Sequence, residues 1–89
     1  MDTIFSDLKV IDCASVIAAP TAAMMLGDFG ADVIKIEAPN GDAIRNAGPQ
    51  RSQGMAATFM GCNRNKRSAV LDLKTSAGKD ALWKLLDTA

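Results

Sequence analysis

The sequence of 89 residues predicts an α/β protein built on a parallel sheet. Three short apolar segments contain β-branched residues and are typical of strands; they span 8–13, 32–37 and 68–73. A segment with helical spacing of apolar residues follows the first strand, and another follows the third. Because strands that alternate with helices pair in parallel, we expect a partial Rossmann-like sheet in the order β-α-β-(loop, short helix)-β-α.

The first strand and helix are predicted from their boundaries as well as their apolar residues. Asp12 stands near the carboxyl end of the first strand. Pro20 suits the first helical position, where a missing N–H costs nothing, and Gly30 suits the left-handed residue that ends a helix. The apolar residues expected to share one buried helical face are Ala22, Ala23, Leu26 and Phe29.

The second strand, Asp32 to Glu37, is almost continuously apolar, as expected for a parallel strand covered on both faces. Turn-forming residues then predict a loop at 38–42, and we expect an irregular segment at 43–54. A short helix is predicted over 55–62. Thr75 or Ser76 would cap the last helix. Its predicted buried stripe consists of Ala81, Leu82, Leu85 and Leu86.

Composition limits the chain to one small domain with an aliphatic core. Nearly half of the residues are hydrophobic, Tyr and His are absent, and there is one Trp. A chain of this length buries only about 60% of its unfolded surface. We interpret Cys13 and Cys62 as buried, reduced thiols, and we expect no metal site. Neither a signal peptide nor an apolar run of membrane-spanning length is present, which predicts a cytoplasmic protein without membrane contact.

Charge is unevenly distributed although the net charge is zero. Residues 1–42 hold seven acids and two lysines, whereas residues 43–71 hold five cations and no acid. The central segment is therefore interpreted either as an anion-attracting surface or as a set of cations that neutralises the acidic first part. Nucleic acid is disfavoured as a partner because Phe59 alone is available there to stack on bases.

The turn after the first strand argues against a dinucleotide. Such a site needs glycines where the backbone approaches a pyrophosphate, and the turn here, 15–20, contains none. Glu37 stands near the position of a ribose-binding carboxylate, but without the glycines it does not predict NAD binding.

Three motifs at fixed spacing carry a family resemblance. They are Gly30 to Glu37, Asn63 to Ser68 and Leu71 to Thr75. Together they resemble the N-terminal region of class III coenzyme A transferases, a group that includes formyl-CoA transferase, carnitine-CoA transferase and 2-methylacyl-CoA racemase. The resemblance runs from Leu8 to the C-terminus, so residues 1–89 are interpreted as the N-terminal part of a CoA-binding domain.

The resemblance implies that CoA lies across the carboxyl ends of the strands. Ala38 stands where the family commonly has an arginine that meets the adenosine, and Lys74 would meet a phosphate. The CoA-binding residues implied are Val16, Ile17, Ala18, Ala38, Asp72, Leu73, Lys74 and Thr75. Arg45, Arg64 and Arg67 are candidate anion contacts, with loop packing as the alternative for the last two.

The resemblance also implies an activity: transfer of CoA between an acyl-CoA and a carboxylic acid by a homodimeric enzyme, with CoA as substrate and no further cofactor. The family's nucleophilic aspartate lies past residue 89, so we expect no catalytic residue within the chain and no activity of the 89 residues alone. Two alternatives stay open. The first is a non-catalytic, truncated nucleotide-binding or dimerisation module, and the second is part of an acyl-CoA racemase.

Overall fold

The computed structural model describes residues 4–13, 18–46, 48 and 53–89. Its strands and helices follow the predicted α/β order. In chain order they are β1 (Lys9–Asp12), α1 (Ala18–Asp28), β2 (Asp32–Glu37), α2 (Ala57–Asn63), β3 (Lys66–Val70) and α3 (Ser76–Leu86). A short 3₁₀ turn, Ala43–Asn46, lies within the segment predicted to be irregular.

The strands form one parallel sheet with β2 in the centre, which confirms the predicted sheet. Val33 is paired with Val10 on β1 and with Lys66 on β3. Because all three strands run in the same direction, their carboxyl ends lie along one edge of the sheet. The segments that follow each strand therefore meet at that edge.

Helix α1 begins at Ala18, so the prediction that placed Pro20 at the first helical position is wrong by two residues. Proline is accepted there because N–H groups of the first turn have no partner inside the helix. Gly30 does end the helix: its φ is +105°, and the N–H of Ala31 donates to the carbonyl of Leu26 at 3.0 Å. This backbone pattern is typical of a glycine that stops a helix.

The buried face of α1 agrees with the predicted one in part: Ala23 is buried and Leu26 packs against the core. Met24 is also buried, whereas Ala22 is exposed. Phe29 lies past the last helical residue and is half exposed. Its ring packs edge-on against Phe5, with the centroids 6.4 Å apart, and this contact explains its departure from the helical stripe.

Strand β3 starts two residues earlier and ends three residues earlier than predicted. It starts earlier because its first two residues, Lys66 and Arg67, are cations that pair with Asp12 of β1 and Asp32 of β2. A strand prediction based on apolar residues does not include such cations. It ends earlier because the carbonyl of Asp72 accepts from the N–H of Thr75, which turns the chain toward α3.

The described core contains two small clusters of buried residues. The first comprises Ala23, Ala31 and Val33, between α1 and β2. The second comprises Ile44, Ala56 and Phe59, between the 3₁₀ turn and α2. On α3 the predicted stripe is only partly buried: Leu86 is 40% exposed, because few residues of the described chain cover this helix. Among the described residues, no helix combines the length and the apolar character needed to cross a membrane.

Candidate functional site

An open cleft of about 590 Å³ lies at the carboxyl edge of the sheet. Its walls are Cys13 after β1, the segment 35–43 at the end of β2, and the segment 71–74 after β3. Ligands of open α/β sheets bind outside the carboxyl ends of the strands, where such segments converge. The cleft is therefore the candidate functional site.

The cleft brings together four of the predicted CoA-binding residues. They are Ala38, Asp72, Leu73 and Lys74. Thr75 does not line the cleft. Ala18 is described only as the first residue of α1, and Val16 and Ile17 lie outside the described residues.

The segment after β3 is folded tightly onto Asp72. One carboxylate oxygen of Asp72 accepts from the backbone N–H of Lys74 at 3.0 Å, and its carbonyl accepts from the Thr75 hydroxyl at 2.8 Å. Thr75 also accepts from the N–H of Gly78 at 3.0 Å, which confirms Thr75 as the cap of α3. The result is a rigid turn that leaves the side chain of Lys74 exposed at the cleft.

A buried ion pair lies beneath the cleft. The Lys35 ammonium is 3.0 Å from Asp42 Oδ2, and both side chains are 2% exposed. Asp42 Oδ1 also accepts from the N–H of Ile44 at 3.1 Å. The pair joins the middle of β2 to the far end of the loop 38–42, so it fixes the loop that forms one wall.

Glu37, the last residue of β2, is enclosed by donors. Arg45 donates to it twice, Ser68 donates its hydroxyl, and the N–H of Asp42 donates at 2.9 Å. The Arg45 hydrogen bonds, with the Ser68 and Asp42 donors, lower the pKa of Glu37 to about 2. Glu37 is therefore an ionised structural carboxylate that has little capacity left for a ribose hydroxyl.

The side chain of Arg45 packs against other residues of the protein and does not face the carboxyl-edge cleft. Its guanidinium stacks on the ring of Phe59, 3.9 Å from the centroid, and donates to the carbonyl of Gly54 at 3.2 Å. It lines a second hollow of about 390 Å³, beside α2 and β3 and not the carboxyl-edge cleft. An anion contact by Arg45 stays a prediction.

Arg64 and Arg67 lie at the opposite, amino end of the sheet. Arg64 is bound to Asp28 at 2.6 Å, and Arg67 is bound to Asp32 at 2.7 Å. The structure does not bring either arginine to the cleft, and their anion contacts also stay predictions. Together with Arg45, these ion pairs favour the interpretation that the central cations neutralise the acidic first part of the chain.

Two features of this region are not predicted by the sequence. Cys13 is exposed and lines the cleft, so its interpretation as a buried thiol is wrong; the residue follows β1 at the open edge. Partial desolvation and the neighbouring Asp12 raise the pKa of its thiol. The second feature is Lys66, whose ammonium is buried against Asp12 at 2.7 Å. The signal available for it was a lysine two residues before the predicted third strand, in a chain whose first predicted strand ends near an aspartate.

The comparisons with known proteins agree with this geometry. A family model described as CoA-transferase family III matches residues 5–89. The chain is 45% identical over 80 residues to the succinyl-CoA–L-malate CoA-transferase beta subunit of Chloroflexus aurantiacus, covering 89% of this chain and 20% of that protein. It is 42% identical over 87 residues to succinyl-CoA:mesaconate CoA-transferase of Haloarcula hispanica, covering 93% and 22%.

A solved structure is similar over the whole chain. The crystal structure of a CAIB/BAIF family protein from Brucella suis superposes with a TM-score of 0.93 at 40% identity, covering 100% of this chain and 25% of that one. The chain thus spans about a fifth to a quarter of the length of the proteins that it matches.

Proposed function

The chain belongs to CoA-transferase family III, and we propose that it forms the N-terminal CoA-binding portion of an acyl-CoA:carboxylate CoA-transferase. The observation that supports this most is the convergence of Ala38, Asp72, Leu73 and Lys74 on one cleft at the carboxyl edge of the sheet.

The cleft has properties that suit the nucleotide end of CoA. Its volume of about 590 Å³ lies within the range of small-molecule sites. Ala38, Pro39 and Leu73 offer apolar surface to an adenine ring. Lys74 offers a compact cation with three donors to a phosphate, and charge-assisted hydrogen bonds of this kind are strong. The amino end of α3 follows directly and adds a favourable dipole for an anion.

The chemistry itself is assigned to residues outside the chain. Asp12 and Glu37 are held in ion pairs with Lys66 and Arg45, so neither is free to attack a thioester. We propose that an aspartate past residue 89 attacks the acyl-CoA carbonyl, forming a mixed anhydride and releasing the CoA thiolate. A carboxylate nucleophile of this kind divides one difficult acyl transfer into easier steps.

The proposal extends to the partners of the full-length enzyme. Its substrates are an acyl-CoA and a carboxylic acid, CoA serves as substrate without a further cofactor, and the enzyme is a cytoplasmic homodimer. Family membership supports the acyl-CoA and the carboxylic acid as substrates.

Titration calorimetry of the 89-residue protein with CoA and with NAD tests the proposal. We expect CoA to bind more tightly than NAD, because CoA presents a 3′-phosphate as well as a pyrophosphate. Lys74→Ala should weaken CoA binding at least threefold. A higher salt concentration should also weaken CoA binding, because salt screens the attraction between exposed charges.

Lys84→Ala is the matched control, since Lys84 is an exposed lysine in the last turn of α3, away from the cleft. It should leave CoA affinity unchanged. Equal affinity for CoA and NAD, or equal effects of the two lysine substitutions, would overturn the proposed function.

A further inference from the structure

The side chain of Lys66 is buried although the residue begins a strand. Lys66 opens β3 at the amino end of the sheet, opposite Val33 in the register. Its side chain is 2% exposed, as is that of its partner Asp12. A buried ammonium of this kind is costly unless all of its protons are hydrogen-bonded.

Three acceptors surround the ammonium, one for each of its protons. Lys66 Nζ lies 2.7 Å from Asp12 Oδ2, 2.8 Å from the carbonyl oxygen of Pro20 and 2.6 Å from Asn63 Oδ1. Asn63 is itself fixed, because its amide nitrogen donates to the carbonyl of Phe59 at 3.0 Å. The lysine on β3 is therefore joined to β1, α1 and α2 at a single point.

One of these acceptors adjoins the β1 side of the cleft. Asp12 is the last residue of β1, and the next residue, Cys13, lines the cleft. Pro20 lies in the first turn of α1. We infer that Lys66 is a positioning residue that fixes the β1 wall of the CoA cleft by holding Asp12 and Pro20 at a set separation. This inference rests on the proposed function, since it concerns the same cleft.

Stability alone does not account for the arrangement. Replacing a buried ion pair by well-packed apolar groups of similar size is often neutral or stabilising, so the pair is better explained by the geometry that it imposes. Arginine does not reproduce that geometry, because its donors lie in a rigid plane and cannot converge on three acceptors around one nitrogen.

The test separates geometry from stability. The double variant Lys66→Met with Asp12→Asn removes both charges and leaves no unpaired buried ion. We expect CoA binding at least tenfold weaker by calorimetry, together with a lowered melting temperature, because the Pro20 carbonyl and Asn63 Oδ1 lose their donor. Hydrogen exchange measured by mass spectrometry should be faster in the peptide 12–20 and unchanged in a β2 peptide.

Lys84→Met is the control and should change neither readout. If the double variant does not fold, Lys66→Arg, which retains the charge, is judged by the same two readouts. Unchanged exchange in the peptide 12–20 overturns the inference, as does wild-type CoA affinity in a variant with faster exchange there. If the wild type itself binds no CoA, the proposed function fails, and the exchange result alone decides whether Lys66 holds Asp12 and Pro20.

Discussion

Arg45 donates hydrogen bonds from two of its nitrogens to the two carboxylate oxygens of Glu37. Its Nε lies 2.6 Å from Oε1, and its Nη2 lies 2.8 Å from Oε2. The two residues bracket the loop 38–42, which forms one wall of the cleft. Since Lys35 and Asp42 pair beneath the same loop, two ion pairs anchored on β2 hold this wall in place.

We predict that this pair makes folding stability depend on pH. The pKa of Glu37 is about 2 in the folded protein and near 4.5 ordinarily, so its contribution is fully present above about pH 4.5. The contribution is lost as the pH falls toward 2. Arg45→Leu should lower the free energy of unfolding by about 2–4 kcal/mol at pH 7, because it strands a buried carboxylate. The loss should be smaller at pH 3, where Glu37 of the variant becomes protonated.

Urea denaturation at pH 7 and pH 3 measures both effects. Arg67→Leu is the control, because its ion pair with Asp32 is exposed and should contribute less than about 1 kcal/mol at either pH. A loss in Arg45→Leu that is equal at the two pH values would show that Glu37 does not titrate as the structure indicates.

The sequence predicted best where local rules decide the structure. Strand β2 was placed at its observed bounds because its apolar run is continuous. Gly30 is placed correctly, and Thr75 is one of the two predicted caps, because a left-handed stop and a side-chain cap each need a particular residue type. The start of β3 is not predicted because Lys66 and Arg67 are charged, and their place in the sheet depends on backbone pairing with β2 and on distant acids.

Only part of the candidate site could be predicted from the sequence, because some of its contacts depend on how distant segments pair. Ala38 and the segment 72–74 follow strands, and parallel strands carry such residues to one edge. The charge imbalance was visible in the sequence, but which cation meets which acid depends on tertiary register. Arg45 therefore lies on Glu37 and Phe59, a pairing that spacing along the chain does not reveal.

We predict that Gly78→Ala damages both the turn and the cleft. A Cβ on Gly78 would lie 1.9 Å from the carbonyl oxygen of Asp72, and this backbone atom cannot move without disturbing the cleft wall. The substitution should cost about 1–3 kcal/mol of stability, as overpacking typically does, and should weaken CoA binding.

Gly61→Ala is the matched control, also a helical glycine. Nothing lies within 4 Å of a Cβ at Gly61, so alanine should stabilise the protein by up to about 1 kcal/mol. Thermal melts and CoA titrations of both variants make the comparison. Equal melting temperatures for the two would contradict the close approach of Gly78 to Asp72.

The last prediction concerns Ala38, which follows β2 and is exposed in the cleft. Ala38→Arg should strengthen CoA binding at least threefold, because a guanidinium there can stack on adenine and pair with a phosphate. Ala57→Arg adds the same charge on an exposed residue of α2 outside the cleft, so it measures the effect of net charge alone. Calorimetry at two salt concentrations should show a gain for Ala38→Arg that exceeds the gain for Ala57→Arg at both. Equal gains at low salt that vanish together at high salt would mean that position 38 does not meet the nucleotide.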